Sequence, residues 1–415
     1  MKMDARSLPK GWASKKLGDV ASKIGSGATP RGGNASYKTE GISLVRSMNV
    51  HDFEFRERNL AFIDDQQAKA LDNVALQEND VLLNITGASV ARCCIIPTDY
   101  LPARVNQHVS IIRTNKELVD PTFLNLLLTS KFYKDKLLFT GEQGATRQAI
   151  TKAQLEVFII AYPKSLPEQK RIVSILDKAF AVIAKAKSNA EQNLKNAKEL
   201  FESYLQSVFE NKGNEWEEKT LGEVCEISSK LIDPRKPEFQ NLIHIGAGNI
   251  ESQKGTLLEL KTAKEENLIS GKFLFDESMV LYSKIRPYLM KVVNCDFQGL
   301  CSADIYPLSP SKKKMTKDFL YHMLLSKDFT EYAILGSERA GMPKVNRNHL
   351  FAYKLYLPTL KTQQTIVAKL DALSVETKKL ETIYQQKLND LDELKKSILQ
   401  KAFSGELNTT KEVTV

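Results

Sequence analysis

No stretch of this 415-residue chain approaches the roughly 18 consecutive apolar residues of a membrane-spanning helix. No signal-peptide pattern opens it either. Cysteine is scarce: Cys93, Cys94, Cys225, Cys295 and Cys301 are the whole set, and none stands in C-x-x-C spacing. The histidines, His51, His108, His244, His322 and His349, are scattered and unpaired. Together these gaps exclude a zinc module and a disulfide scaffold, and they point to a reducing cytoplasm with no metal of its own. A phosphate loop is missing, since Gly271-Lys272 lacks both the upstream glycine and the hydroxyl. Gly25-Ser-Gly27 opens like a dinucleotide fingerprint, but no third glycine starts a helix, which leaves a turn. The Asn/Asp-Pro-Pro-aromatic signature of amino-methyltransferases is absent. Asp233 with Glu259-Leu260-Lys261 has the residue types of a metal-nuclease set, yet E-x-K triplets are common in a chain this rich in Glu and Lys. No residue is assigned a catalytic role.

What is present is a globular composition, 42% apolar and 26% charged, in a chain long enough for two to four domains. The net charge of +9 permits a nucleic-acid or other anionic partner without requiring one.

The chain also repeats itself. Ile172, Leu176, Ala179, Ile183, Ala186, Ala190, Asn193, Ala197, Leu200 and Tyr204 step by four and three, the seam of a coiled-coil helix. A second series lies 194 positions on (172 to 366): Ile366, Leu370, Leu373, Thr377, Leu380, Tyr384, Lys387, Leu391, Leu394 and Ile398. Trp12, Lys15 and Leu17-Gly18-Asp19-Val20 recur as Trp216, Lys219 and Leu221-Gly222-Glu223-Val224, here 204 positions on (12 to 216). Asn49-Val50 answers to Asn249-Ile250, and Phe123-Leu124 to Phe319-Leu320. The offset drifts through the segments before each helix and is constant over the helices. The helices kept their length while the heads before them diverged.

Each head reads as mixed α/β with strands predominating. Ile42–Val45, Val81–Ile85, Val109–Ile112 and Phe158–Ile160 are short, β-branched and bounded by turn residues. Helices are expected over Pro121–Lys136, Thr316–Glu331 and Asp64–Ala75, and a flexible loop from Gly25 to Gly33. Ser165 and Thr359 read as N-caps of the long helices, with Pro167 in the first turn. Glu168 completes a capping box in the first copy, where the second has Thr362. Gly213 and Gly405 mark the helix ends. Forty-odd residues at ~1.5 Å each make a rod of roughly 60–65 Å.

The expected fold is therefore α+β: two mixed α/β domains separated by two long antiparallel α-helices forming a coiled coil, with an internal pseudo-twofold repeat. Its parts are head one (1–164), helix one (165–211), head two (212–358), helix two (359–407) and a tail (408–415). The helices run antiparallel because the first delivers the chain to head two and the second leaves it. Their seam joins the narrow set of Ile172, Leu176, Ile183, Leu200 and intervening alanines to the wide set Leu370, Leu373, Leu380, Tyr384, Leu391 and Leu394. Asn193 and Lys387 fall at equivalent seam positions, where they either fix register or mark a wet stretch.

The remaining chemistry is that of recognition. Arg31, Arg46, Arg92, Arg104, Asn106, Gln107, Arg147 and Gln148 stand in or beside loops of head one. Lys230, Arg235, Lys236, Lys284, Arg286, Arg339, Lys344 and Arg347 do so in head two. Arg and Lys suit guanine O6/N7 and phosphate oxygens, and Asn and Gln can pair bidentately with adenine. Thr146-Arg147-Gln148 and Gly341-Met342-Pro343-Lys344 occupy equivalent places before the last strand of each head.

This order of diverged head, kept helix, second head and second helix resembles the specificity subunits of type I restriction–modification systems. The likeness is carried by Leu8-Pro-Lys-Gly-Trp12 with Leu17-Gly-Asp-Val20, and by Leu166-Pro167-Glu168-Gln169-Lys-Arg-Ile172-Val173. It continues in Pro358-Thr-Leu-Lys-Thr-Gln363-Gln-Thr-Ile366-Val367 and Leu394-Lys-Lys-Ser-Ile-Leu-Gln-Lys-Ala-Phe403-Ser-Gly405-Glu-Leu407, and it spans essentially the whole chain. The resemblance implies two target recognition domains, each reading half of a bipartite site in the major groove of double-stranded DNA. It further implies helices that set the unread spacer and dock two modification (methyltransferase) subunits. Those subunits bind S-adenosylmethionine and methylate adenine, and restriction (endonuclease/translocase) subunits using ATP and Mg²⁺ join for cleavage. The specificity subunit itself is non-catalytic, holds no cofactor and is cytoplasmic in a prokaryote. Because the heads differ, the full site should be asymmetric. The rivals are a self-contained methyltransferase or nuclease with an unrecognised motif, which turnover by the purified chain would reveal, and a coiled-coil scaffold for proteins, which would show no sequence-dependent DNA affinity.

Overall fold

A computed structural model of the chain describes residues 8–142, 148–228, 230–337, 342–404 and 406. It divides into two compact units, Met1–Ala190 with Gln386–Val415, and Glu191–Gln385. Each unit combines one head with a segment of each long helix.

In unit 1 a four-stranded antiparallel sheet runs in the order Ala21–Ser26, Val109–Thr114, Val81–Asn84, Cys93–Ile95. Side chains alternate across a strand, and here both faces are covered. Val81, Leu83 and Ile112 enter a core with the helix Pro121–Thr129. Leu82, Val109 and Ile111 enter a second core with Leu44, Val45 and Val105. That double burial is why apolar residues run consecutively in Val81-Leu82-Leu83 and Ile111-Ile112 instead of alternating with polar ones. A three-stranded sheet, Ala61–Ile63, Ile42–Val45, Ala103–Val105, closes the second core. Trp12–Lys16 pairs antiparallel with Ile159–Pro163 and returns the chain to the start of the first long helix.

Unit 2 repeats the plan. Its first sheet runs Cys225–Ile227, Ile305–Pro310, Val280–Ser283, Val292–Asn294. Val280 and Tyr282 face one core and Leu281 the other. The second sheet has grown to five strands: Leu231–Ile232, Lys272–Phe275, Gly299–Cys301, Ile243–Ile245 and Lys261–Thr262. Glu217–Thr220 pairs with Lys354–Leu357 as the terminal ribbon.

Several expectations need correction. The helices expected over Pro121–Lys136 and Thr316–Glu331 are each a pair: Pro121–Thr129 with Lys131–Glu142, and Lys317–Leu324 with Lys327–Leu335. A serine sits at each break. Ser130 is extended, with its hydroxyl donating to Leu127 O at 2.6 Å, and Ser326 Oγ accepts from Phe329 N at 3.3 Å. The helix after Asp64 stops at Ala70 and gives way to a 3-10 turn, Asp72–Val74. Gly25 and Ser26 belong to a paired strand, and a Cβ on Gly27 would overlap the Val105 carbonyl, so the start of that expected loop is fixed.

The long helices span Leu166–Glu210 and Leu360–Ser404. In unit 1, Ile172 and Leu176 share a core with Leu399, Ala402 and Phe403, and Lys187 pairs with Asp392 at 2.7 Å. Early residues of one helix meet late residues of the other, so the segments are antiparallel. In unit 2, Leu205 shares a core with Val367 and Leu370. None of the described helices is long and apolar enough to cross a membrane.

The capping box expected at Ser165 is not formed. Glu168 instead holds Arg171 through two bonds of 2.8 Å. The second copy, expected to be weaker, has Thr359 Oγ1 accepting from Thr362 N at 3.3 Å. A different residue anchors the first turn of each long helix. Gln169 and Gln363 are fully buried. Gln169 accepts from Asp120 N (2.8 Å) and donates to Leu118 O (2.9 Å) and Pro163 O (2.8 Å). Gln363 accepts from Thr316 N (2.9 Å) and donates to Lys314 O (2.8 Å) and Pro358 O (2.9 Å). Asp120 and Thr316 are themselves N-caps of head helices, so each glutamine ties its head to a long helix.

The seam also departs from a strict heptad. Leu200 (50% exposed), Leu380 (36%) and Leu394 (46%) lie outside it, and Asn193 and Lys387 face solvent and fix no register. Their successors Leu194, Phe201, Glu381, Leu388 and Lys395 are half-buried instead. A 3.5-residue repeat drifts about 20° per heptad on a 3.6-residue helix, so alternate seam positions slip one residue along in both copies. Lys395 is accommodated between the rings of Phe53 and Phe180, 4.6 and 4.8 Å from their centroids. Ile183, Ala190, Ala197 and Thr377 are buried, and Leu373, Tyr384 and Leu391 half-buried.

Candidate nucleic-acid interface

In unit 1, five segments are stitched together where the strands of the two sheets end. Asn106 N donates to Val45 O (3.1 Å) and Gly27 N to Asn106 O (3.2 Å). Ile85 N donates to His108 O (3.0 Å), Ile150 N to Ile85 O (2.8 Å) and Gly87 N to Gln148 O (3.1 Å). Thr86 and Ala149 form an isolated bridge. The resulting rim is mostly polar and uncharged. Gln107 and Gln148 are exposed; Thr86, His108 and Arg46 are partly so. Thr86 Oγ1 lies 2.5 Å from His108 Nδ1, and the Thr29 hydroxyl donates to Gln107 Oε1. Arg46 Nη2 donates to Asn59 O at 2.5 Å, with the guanidinium 5.2 Å from the Tyr37 ring.

Unit 2 repeats four of these five bonds and the bridge. Ser302 N donates to Ile245 O (2.9 Å), Lys284 N to Asp304 O (3.0 Å), Val345 N to Lys284 O (2.8 Å) and Arg286 N to Pro343 O (2.9 Å). Ile285 bridges Lys344. These bonds equate Ile85 with Lys284, Gly87 with Arg286, His108 with Asp304 and Ala149 with Lys344. The short helix that follows begins at Lys152 in unit 1 and at Arg347 in unit 2.

The scaffold is shared and its side chains are not. Lys284 lies half-buried with Nζ donating to Ala303 O, 5.0 Å from the Tyr306 ring. Burial chiefly holds its ammonium below the usual lysine range; Lys344 pushes the same way and Asp304 opposes. Lys344 Nζ is 3.9 Å from Asp304. Arg286 and Arg347 are exposed, and among the described residues neither side chain makes a hydrogen bond or ion pair. Lys344 and Arg347 repel the Lys284 ammonium while the single Asp304 carboxylate opposes them, and a bound anion or a pair of base-edge acceptors relieves that repulsion. Beside Arg46, the unit 1 rim offers amides, a hydroxyl and an imidazole, groups that suit hydrogen-bond readout of base edges.

The profile of the type I restriction modification DNA specificity domain matches the chain twice, over residues 9–196 and 213–390. The chain belongs to this family. It is a specificity subunit, whose part is DNA recognition rather than catalysis. The EcoDI specificity subunit of Escherichia coli, a type I restriction enzyme, is 30% identical over 323 residues, covering 70% of this chain and 71% of the relative. A chain from a structural study of complex assembly and conformational transition in the type I R-M system superposes with a TM-score of 0.74, at 19% identity, over 96% of this chain and 99% of that one. The HsdS subunit from Thermoanaerobacter tengcongensis gives a TM-score of 0.64 at 19% identity, over 96% and 98%. At these identities the two solved structures speak for the fold.

The other candidates from sequence are placed as follows. Arg31 is exposed on the turn after Ala21–Ser26, and Arg92 is half-buried with its carbonyl accepting from Asn84 N at 2.9 Å. Arg104 is held inside unit 1. Its Nη2 donates to Asp72 (2.8 Å), its Nε to Ala68 O (3.2 Å), and its side chain is 11% exposed. It pins the 3-10 turn Asp72–Val74 to a strand. Asn106 is likewise buried, its Oδ1 accepting from His108 N at 3.0 Å, and it shapes the turn that presents Gln107. Arg235 is clamped on Asp233 by two bonds (2.9 and 2.8 Å), which pulls that carboxyl down to about 2. Among the described residues no group of three or more His, Cys, Asp and Glu could hold a metal. Lys230 and Lys236 are exposed; Arg147 and Arg339 lie outside the described residues. Sequence reasoning missed Thr86, His108, Asp304 and Tyr306. Aligning the strand ends of the two copies was the signal that could have found them.

Proposed function

We propose that each rim reads one half of a bipartite, asymmetric site in double-stranded DNA through the major groove. The long helices hold the unread spacer and dock two modification subunits. Those subunits bind S-adenosylmethionine and methylate adenine, while restriction subunits use ATP and Mg²⁺; this chain contributes recognition in a prokaryotic cytoplasm. One observation carries the reading: the same hydrogen-bonded rim is built twice and furnished with different side chains. A shared backbone geometry fits the same duplex, and different donors and acceptors select different bases. The test is a head exchange. Replacing residues 1–164 by the first head of another family member should change one half-site and leave the other half and the spacer intact. A change in both halves, or in neither, would overturn the proposal.

A further inference from the structure

The turn after the strand Val280–Ser283 demands a left-handed residue. Its counterpart in unit 1 is Gly87, at φ +72 with nothing within 4 Å of where a Cβ would stand. Unit 2 puts Arg286 there, at φ +51 and ψ +62. Glycine takes this conformation freely and an L side chain resists it. At the other left-handed positions shared by both copies, Phe53 with Gln253, Asn59 with Glu259 and Ala91 with Met290, neither copy uses glycine. Only here does one copy keep a glycine and the other an arginine. Outliers of this kind gather at functional sites.

The root of Arg286 is held on both sides. Its N–H donates to Pro343 O and its carbonyl accepts from Leu289 N, each at 2.9 Å, and Pro287 begins the 3-10 turn that follows. Its guanidinium, by contrast, has no partner among the described residues. A fixed root and a free planar fork are what bidentate base reading requires, whereas a phosphate contact tolerates a loose one. Lys284 lies two residues before it, and Lys344 directly follows its main-chain partner Pro343. Lys344 and Arg347 both act on the Lys284 ammonium, and the three supply charges for the backbone. We propose that Arg286 is the specificity-determining residue of the unit 2 rim and takes the O6/N7 edge of a guanine, with those three cations on flanking phosphates. This assignment rests on the DNA-reading role proposed above.

The test is selection from a random duplex pool by the full chain in its native complex, comparing the wild type with Arg286→Gly and Arg286→Lys. The glycine variant should melt no lower than the wild type, because the site accepts glycine without strain. It should keep the half-site that changes on exchange of residues 1–164. In the other half-site it should lose roughly 5- to 150-fold of discrimination at one G·C pair. The lysine variant, lacking the fork, should restore affinity more than discrimination. Uniform weakening with unchanged preference, and a salt slope reduced by about one, would show a phosphate contact and overturn the assignment. Unchanged affinity and preference would also overturn it. If the wild type selects no sequence, the DNA-reading role itself fails.

Discussion

Replacing Gln169 by leucine should destabilise unit 1 by about 2–5 kcal/mol. The side chain is fully buried and satisfies three main-chain groups at once, Asp120 N, Leu118 O and Pro163 O, at 2.8 to 2.9 Å. Each such bond contributes roughly 0.5–1.5 kcal/mol net, and a buried partner left alone costs roughly 1–3 kcal/mol. Leucine fills nearly the same volume, so it excludes the water that would otherwise take over the bonds. The expected fall in the unit 1 melting midpoint is roughly 4–20 °C for a unit of this size. Amide exchange at Asp120 should lose its protection, because that N–H has no other partner among the described residues. Gln363→Leu should do the same to unit 2, exposing Thr316 N. Scanning calorimetry of the full chain, with exchange read by mass spectrometry, measures both. A midpoint that moves by less than about one degree, with Asp120 still protected, would refute the role given to these glutamines.

Three further outcomes follow from the geometry. Leu200→Ala and Leu394→Ala should each cost less than about 1 kcal/mol, while Leu176→Ala and Leu370→Ala, both fully buried, should cost about 2–5 kcal/mol in the same denaturation assay. His244 and His322 are held below the usual histidine range, chiefly by burial, with Glu266 and Asp371 opposing. Each imidazole therefore binds protons less readily when folded than when unfolded. Their contribution is full above pH ~6.5 and shrinks as pH falls from there toward the folded value. The unit 2 midpoint should drop between about pH 7.5 and 5.5, and less so in a His244→Gln/His322→Gln double variant; an equal drop would contradict the assignment. Inserting one heptad in both long helices adds ~10 Å to each and should lengthen the unread DNA spacer by about three base pairs.

Much of the fold was legible because burial leaves a pattern. The strands over Val81–Asn84 and Val109–Thr114 announce themselves as short segments rich in Val, Ile and Leu, and the long helices as a repeat without insertions. The seam was half legible: the series through Ile183 and Ala190 is buried as its spacing implies, and the series through Leu200 slipped because helix twist does not honour an integer heptad. Gln169 and Gln363 stood in the duplicated motifs, but a polar residue on a helix gives no sign of the distant carbonyls it will meet. The interface was harder still. Arg104 looked like its neighbours until Asp72, 32 residues away, claimed it. Arg286 became conspicuous only when hydrogen bonds equated it with Gly87, since insertions blur that alignment in sequence.

The most direct test of two unlike readers on one chain is single-molecule sequencing of methylated adenines in the host genome. Two unlike rims on paired helices predict one motif made of two different half-sites separated by a fixed unread spacer, lost when the gene for this chain is deleted. A palindromic or continuous motif, or one that survives the deletion, would contradict that arrangement.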